Sequence, residues 1–148
     1  MRFNDFTLTA PDNSNFNLYE YGQNNPVLLI FFRGAWCGYC KKQLIELAKN
    51  IDFFNQKNIK IVAISNDSQL KSSLLKTFLK LPFPILSDPD TKLITDLGLT
   101  TVYKTHKTSK PAVYLISSEH DVLFSYVGEE YDDRLSIDML KQKIHESL

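Results

Sequence analysis

The chain has few cysteines and few histidines, and this scarcity argues against two common kinds of site. Its 148 residues include two cysteines, Cys37 and Cys40, and three scattered histidines. A structural disulfide framework needs more cysteines at wider spacing. A zinc site normally has four ligands, and no two histidines stand at ligand spacing. We therefore expect no metal or other cofactor, and the two cysteines are left for redox chemistry.

The chain also lacks an excess of charge and a long apolar run. Its 17 lysines and arginines balance 17 aspartates and glutamates, so no general field attracts nucleic acid or anionic membranes. The longest strongly apolar stretch, 27–32, has the length of a strand and falls short of the ~18 residues of a membrane helix. The N-terminus lacks the apolar segment of a secretory signal. These absences predict a cytoplasmic protein without nucleic-acid or membrane partners.

Strands and helices alternate along a chain of one-domain length. Apolar runs bounded by turn residues predict core strands at 27–32, 59–65, 112–117 and 122–127, the last two forming a hairpin. Apolar residues at helical spacing predict helices at 38–56, 68–80, about 90–98 and about 134–147. The polar segment 100–110 is predicted to be a loop. This order of elements predicts one α/β domain over 1–148, with a mixed sheet and helices on both faces.

The two cysteines stand at positions i and i+3, directly after a buried strand and at the start of a helix. Side chains at this spacing share one face of a helix, so Cys37 and Cys40 lie within reach of a disulfide. Free N–H groups and the helix dipole stabilise a thiolate there, which lowers the pKa of Cys37 from about 8.5 toward about 7. Such a thiolate attacks, and a neighbouring thiol resolves the mixed disulfide. The pattern predicts a thiol-based redox site.

The residues around the cysteines resemble two related families. Trp36–Lys41 looks like the active-site motif of thioredoxin, with Tyr39 where proline is usual. The whole chain resembles more closely the redoxin branch of the alkyl hydroperoxide reductase/thiol-specific antioxidant (AhpC/TSA) family, the peroxiredoxin-like proteins. The similar segments are 31–40, 62–65, 83–90, 111–116 and 124–128. The resemblance implies a thioredoxin-like fold, with a central mixed sheet of about five strands, helices on both faces and a short N-terminal β extension.

The resemblance implies two alternative roles for the cysteines. Peroxiredoxins carry the motif P-x-x-x-T-x-x-C, which places Cys40 at the peroxidatic position but puts Arg33 at the proline and Cys37 at the threonine. The arginine that peroxiredoxins place before the later strand falls at Pro111. In the thioredoxin register Cys37 is the nucleophile, Cys40 resolves, and Pro111 is the cis-proline that faces the disulfide. The thioredoxin register requires fewer replacements of the family's motif residues than the peroxiredoxin register does, and we favour it.

Five further residues are candidates for supporting roles. Arg33, at the carboxyl end of the strand, is predicted either to stabilise a thiolate or orient a peroxide, or to pair with a surface carboxylate. Lys110 would lower the pKa of Cys37 if it lay beside the thiols, although a solvated place in the lysine-rich loop is the more expected role. Trp36 is predicted to shape the partner-docking surface or to pack in the core. Tyr39 is expected to change the redox potential, and Pro111 to face the cysteines.

A later segment, Glu130–Arg134, resembles a stretch of the same redoxin branch. In that resemblance Tyr131 and Arg134 would face the site across the fold. Their default role is to cap and anchor the C-terminal helix, and this is the role we predict for them.

The favoured function is that of a thiol–disulfide oxidoreductase, in which Cys37 attacks a substrate disulfide and Cys40 resolves. The alternative is a thiol-dependent peroxidase, in which Cys40 or Cys37 is the peroxidatic residue. A remote alternative is a metal-binding module that uses the two cysteines. The expected partners are a disulfide or peroxide substrate and a reducing thiol system, thioredoxin-like or glutathione-like. The chain is expected to be a monomer or a weak homodimer.

Overall fold

The computed structural model describes all residues from Met1 to Leu148 and contains nine strands and six helices. The strands are β1 (Thr7–Thr9), β2 (Asn15–Asn17), β3 (Val27–Phe31), β4 (Lys60–Ser65), β5 (Ile85–Ser87), β6 (Thr100–Tyr103), β7 (His106–Ser109), β8 (Ala112–Ile116) and β9 (Val122–Val127). The helices are α1 (Leu18–Tyr21), α2 (Gly38–Lys49), α3 (Ile51–Gln56), α4 (Gln69–Leu79), α5 (Lys92–Asp96) and α6 (Ile137–Ser147).

Five strands form a central mixed sheet in the order β5-β4-β3-β8-β9. The central strand β3 runs parallel to β4 and antiparallel to β8. The strands β4 and β5 are parallel, and β8 and β9 are antiparallel. The pair β1–β2 is the short N-terminal extension. The predicted thioredoxin-like α/β fold is confirmed.

The sheet is buried on both faces, which explains why its central strands are apolar throughout. On one face, Leu28 and Ile30 of β3 pack with residues of α2, α3 and α6, among them Leu44, Phe54 and Ile144. On the other face, alternate residues of the same strands pack with the N-terminal segment, α1 and α5, through residues that include Phe3, Leu18 and Ile94. The two hydrophobic clusters hold the ends of β3 and β4 in place, and the cysteines follow β3 directly.

Four elements differ from the sequence-based expectation. The predicted helix 38–56 is divided at Asn50, whose side-chain amide donates to the Glu46 carbonyl at 2.8 Å and so competes with the helical pattern. The predicted loop 100–110 is largely the hairpin β6–β7, which turns at Lys104 with φ of 56°. The strand β5 was absent from the predicted elements. The last helix begins at Ile137 and is capped by Ser136, whose hydroxyl accepts from the Met139 N–H.

None of the six helices combines the length and the apolar character that a membrane crossing requires.

Candidate active site

The site lies where β3 ends and α2 begins. The Phe32 N–H donates to the Ile64 carbonyl at 3.0 Å, which continues the pairing with β4 beyond the end of β3. The chain then turns through Gly34, whose φ of 155° is unusual for a residue with a side chain and whose missing Cβ leaves room for the Trp36 indole. The Asp67 carboxylate accepts from the Ala35 N–H at 2.8 Å. This loop therefore presents the first cysteine in a fixed position.

Cys37 is the N-cap residue of α2. Its sulfur accepts from the Cys40 backbone N–H at 3.3 Å, in the way that a serine hydroxyl caps a helix. The Cys40 sulfur accepts from the Arg33 backbone N–H at 3.3 Å. Cys37 is 3% exposed and Cys40 is fully buried, and both are free thiols. The spacing in the sequence thus places both sulfurs at one helix end, as predicted from the motif.

The two thiols differ in acidity. The pKa of Cys37 falls to about 5, chiefly because the Cys40 thiol donates a hydrogen bond to its sulfur, with further lowering by the Cys40 N–H, Arg134 and Arg33 against the opposing effect of burial. Burial raises the pKa of Cys40 above its usual range, and the hydrogen bond that it gives to Cys37 raises it further. The pair therefore holds one negative charge, and that charge resides on Cys37.

Arg134 brings a guanidinium group to both sulfurs from the segment before α6. Its Nη2 lies 3.0 Å from the Cys40 sulfur and 3.8 Å from the Cys37 sulfur. Its Nη1 donates to the Gln43 side-chain oxygen at 2.7 Å, and its Nε donates to the Tyr131 carbonyl at 2.9 Å. The predicted role of Arg134 as an anchor of the helix is wrong, because Ser136 caps the helix and Arg134 contacts the thiols.

Arg33 approaches the same sulfurs from the floor of the site. Its guanidinium Nη1 lies 4.0 Å from the Cys37 sulfur. Its guanidinium carbon lies 4.7 Å from the ring centres of Trp36 and Tyr103 and 5.4 Å from that of Tyr131. Of the two roles predicted for Arg33, the geometry places it beside the thiolate, and neither ion pair of the structure includes it. Two of the chain's three arginines thus converge on the thiols.

The exposed rim of the site is aromatic. Trp36 is 47% exposed and stacks on Tyr103, with ring centres 4.7 Å apart. Tyr39, between the cysteines, meets Tyr131 edge to face at 5.3 Å. Trp36 is therefore a residue of the rim. Of its two predicted roles, packing in the core is wrong. The contribution of Tyr103 was missed. Tyr131 and Arg134 face the site, as the similarity of the segment 130–134 to the redoxin branch implied, and do not take the helix-anchoring role that was preferred for them.

Pro111 and Lys110 differ from the thioredoxin pattern. No peptide bond in the structure is cis, so the prediction of a cis Pro111 is wrong. The trans form is the intrinsic preference of X–Pro bonds, and here the Lys110 N–H and the Pro111 carbonyl both join regular backbone hydrogen bonds, to Leu99 and Gly128. The Lys110 ammonium pairs with Glu129 at 3.3 Å and contacts neither sulfur. Lys110 thus takes the solvated place that was the more expected of its two roles.

No group of three or more histidine, cysteine, aspartate or glutamate side chains is arranged to hold a metal ion. The remote metal-binding alternative therefore has no ligands beyond the two cysteines.

Several solved structures with the same fold are named as peroxiredoxins or related peroxide reductases. Peroxidoxin BcpB from Mycobacterium tuberculosis superimposes with a TM-score of 0.86 at 20% identity, covering 99% of this chain and 95% of that one. The reduced 2-Cys peroxiredoxin of Plasmodium vivax gives a TM-score of 0.81 at 23% identity, covering 97% of this chain and 78% of that one. At these identities the similarity establishes the fold alone.

Sequence relatives are peroxiredoxins as well. A putative peroxiredoxin of Mycobacterium tuberculosis is 32% identical over 93 residues, which are 63% of this chain and 59% of the relative. The chloroplastic peroxiredoxin Q of Suaeda salsa is 28% identical over 94 residues, which are 64% of this chain and 44% of the relative. The matches thus span less than two thirds of the relatives' length. The profile of the AhpC/TSA family matches residues 1–125, and the chain belongs to that family.

Proposed function

We propose that this protein is a thiol-dependent hydroperoxide reductase in which Cys37 attacks and Cys40 resolves. The observation that carries the proposal is a low-pKa thiol, flanked by two guanidinium groups, that is almost completely buried. A thiolate is the species that attacks a peroxide bond. Positive groups beside it stabilise the charge that moves onto the departing oxygen. The thiolate of Cys37 and the two guanidinium groups beside it are therefore the groups that peroxide reduction requires.

Burial favours a small oxidant over a protein disulfide. Cys37 is 3% exposed, and aromatic rings surround the approach to it. In disulfide exchange the attacking sulfur must contact one sulfur of the substrate disulfide. A disulfide fixed in a folded protein reaches a sulfur that is 3% exposed less readily than hydrogen peroxide, which is little larger than water.

The low pKa of Cys37 supports the same choice. Stabilising the thiolate stabilises the reduced form, which makes the disulfide a stronger oxidant and the dithiol a weaker reductant. A weak reductant is poorly suited to reducing protein disulfides. Reduction of a peroxide bond is much more favourable than reduction of a protein disulfide, so it proceeds even with a weak dithiol reductant.

The reaction proceeds in three balanced steps. The Cys37 thiolate attacks one oxygen of the hydroperoxide, and the other oxygen leaves and takes up a proton, which gives a sulfenic acid on Cys37 and an alcohol or water. The Cys40 thiol then displaces water from the sulfenic acid and forms the Cys37–Cys40 disulfide. Two equivalents of a reducing thiol, from a thioredoxin-like or glutathione-like donor, restore the dithiol and leave as a disulfide. Both cysteines come from one chain, so the scheme needs no cysteine from a second subunit and is compatible with a monomer or a weak homodimer.

The test is the rate at which the reduced protein reacts with hydrogen peroxide, followed by Trp36 fluorescence and by mass spectrometry of the products. The unfolded reduced chain is the reference for an ordinary thiol. We expect the folded protein to react far faster and to end as the Cys37–Cys40 disulfide. Cys40→Ser should stop at a sulfenic acid on Cys37, and Cys37→Ser should lose at least about a thousandfold in rate. Turnover by Cys40 alone would instead assign the attack to Cys40.

Reduction of disulfides is the second candidate, and the C-x-x-C pair at a helix N-terminus favours it. This activity uses the same atoms, and membership of the AhpC/TSA family is compatible with it. A peroxide rate no higher than that of the unfolded chain, together with reduction of a protein disulfide by the folded chain, would make this second candidate the function.

A further inference from the structure

Arg33 is a buried cation without an oxygen acceptor. Arg33 as a whole residue is 9% exposed. A guanidinium has five N–H donors, and the one polar neighbour of this group is the Cys37 sulfur at 4.0 Å. Neither ion pair of the structure includes it, and no carbonyl accepts from it. The nitrogens of Arg33 that have no protein acceptor are not closed off in the interior, since Gln69 Oε1 is the one buried side-chain nitrogen or oxygen without a partner. They are therefore open to an anion that enters from solvent.

The aromatic rings around Arg33 do not replace that anion. The faces of Trp36, Tyr103 and Tyr131 lie 4.7 to 5.4 Å from its guanidinium carbon. A ring face attracts a cation but accepts no directed hydrogen bond from the edge of the guanidinium. The rings therefore hold the group in place and leave its edge donors free.

A small cavity of about 180 Å³ adjoins Arg33. Its wall includes Tyr103, Tyr131 and the buried Ser109. Lys110 and Glu129, which are paired with each other, and Glu130 line it as well. This volume is large enough for a carboxylate with a few attached atoms. The planar fork of a guanidinium matches a carboxylate with two parallel hydrogen bonds.

The redox state of the cysteines decides when that carboxylate binds best. In the reduced protein the Cys37 thiolate is the anion beside Arg33. Formation of the disulfide removes this charge, and no carboxylate of the protein then lies within ion-pair distance of Arg33. A carboxylate ligand consequently binds the disulfide form more tightly than the dithiol form. The molecule that must meet the disulfide form is the reductant.

We propose that the Arg33 cavity is the carboxylate-binding subsite for the reductant, a small thiol that carries a carboxylate a few atoms from its sulfur. This inference rests on the proposed function, in so far as that function forms the Cys37–Cys40 disulfide. The thiolate of the reductant attacks the Cys37 sulfur, a mixed disulfide forms, and the Cys40 sulfur leaves beside Arg134 and takes up a proton. A second thiolate then attacks the sulfur of the bound reductant, forms the small-molecule disulfide and releases the Cys37 thiolate.

The test compares two thiols of the same size, 3-mercaptopropionate and 3-mercaptopropionamide, as reductants of the purified disulfide form. The disulfide is made with diamide, so that no peroxide reaction is needed. The ratio of the two rate constants is measured in the wild type, in Arg33→Met and in the control Arg2→Met, whose arginine lies near Tyr19. Intrinsic thiol reactivity cancels when the ratios are compared. We expect the preference for the acid to fall about tenfold in Arg33→Met and to stay unchanged in Arg2→Met.

Propionate and propionamide supply a second readout that needs no variant. Neither reacts with the disulfide, and we expect propionate alone to slow reduction of the wild-type protein by 3-mercaptopropionate. Equal rate ratios in wild type and Arg33→Met would overturn the subsite. If Arg33→Met does not fold, absence of inhibition by propionate would overturn it. A protein that fails to reduce peroxide but keeps the Arg33-dependent preference would overturn the proposed function and leave the subsite standing.

Discussion

The floor of the site, residues 32–40, is held in the molecule quite differently from its cover, which consists of the β6–β7 hairpin and residues 128–136. In the floor, Phe32 and Cys40 are fully buried, and backbone N–H groups bind the next strand, a carboxylate or a sulfur. In the cover, Tyr103 and Tyr131 are 39% and 48% exposed. The cover meets the floor through aromatic contacts, the hydrogen bond of Arg134 to the Cys40 sulfur, and one buried hydrogen bond from the Thr108 hydroxyl to the Arg33 carbonyl at 2.6 Å.

This difference separates two tasks. The floor fixes where the sulfurs are, because main-chain geometry and a packed core allow little movement. The cover supplies a cation and aromatic walls, so its contacts depend on the charge of the sulfurs. Damage to the floor should therefore reduce stability, and damage to the cover should reduce activity at nearly unchanged stability.

The largest effect is expected from removal of the cover's cation. Arg134→Met should slow the reaction with hydrogen peroxide about 100-fold, because the guanidinium beside both sulfurs is lost where charge develops. The rate of the wild type should follow the Cys37 thiolate, with a midpoint near the pKa of about 5, and the midpoint should move up in the variant. Stopped-flow fluorescence against pH measures both quantities.

Two variants control this prediction. Arg2→Met removes an arginine far from the thiols and should change neither the rate nor the midpoint. Gln43→Leu removes the side-chain oxygen that positions Arg134 and should give a smaller loss in the same direction. An Arg134→Met protein with wild-type rate and midpoint would contradict the role given to the cover.

Breaking the floor should instead affect folding. The Asp67 carboxylate is buried and accepts from the Ala35 N–H at 2.8 Å and from the Ser65 hydroxyl at 2.9 Å. Asp67→Ala leaves these donors unpaired, and we expect the free energy of unfolding to fall by about 2 kcal/mol. Urea denaturation measures the loss, with the exposed Asp12→Ala as a control. Arg134→Met should lose less than half as much, and an equal loss in both variants would remove the distinction between floor and cover.

Stability of the reduced protein should also depend on pH through Cys37. Its pKa is about 5 in the folded state and about 8.5 in an unfolded chain, so between these values the unfolded state binds more protons. Stability therefore rises with pH across this window and is lost as pH falls through 5. The hydrogen bond from the Cys40 thiol is the chief cause of the low pKa, and solvent screens the smaller effect of the partly exposed Arg134. We therefore expect a change of about 1 kcal/mol. Urea titrations at several pH values test this, and Cys37→Ser should remove the dependence.

The floor was predictable from the sequence, because its signals are local. The run 27–32 is apolar at every position, as a strand buried on both faces must be, and the spacing of Cys37 and Cys40 places both sulfurs on one helix turn. The family resemblance supplied the number of strands. The short β5 has three residues and gives almost no periodic signal, and it was missed.

The cover was not predictable from local patterns, because distant parts of the chain meet there, and only the family resemblance pointed to Tyr131 and Arg134. Arg134 lies 94 residues beyond Cys40, and its polar segment has no helical or strand period. The hairpin 100–109 is polar and exposed at its tip, so its strands lack the alternation that marks a half-buried sheet. Pro111 is trans, which is the intrinsic preference of X–Pro bonds, and the expectation of a cis bond came from the thioredoxin register and not from any local pattern.

The smallest effect is expected from Lys110, which borders the cover without contacting a sulfur. Its ammonium pairs with Glu129 at the surface, and both this partner and the solvent weaken the effect of its charge on the thiols. Lys110→Met should therefore leave the pKa of Cys37, measured by the pH dependence of alkylation, within a few tenths of the wild-type value. Lys49→Met, at the far end of α2, is the matched control. An upward shift of about one unit in Lys110→Met alone would show that the cations acting on Cys37 include a third, and that the cover extends to the start of β8.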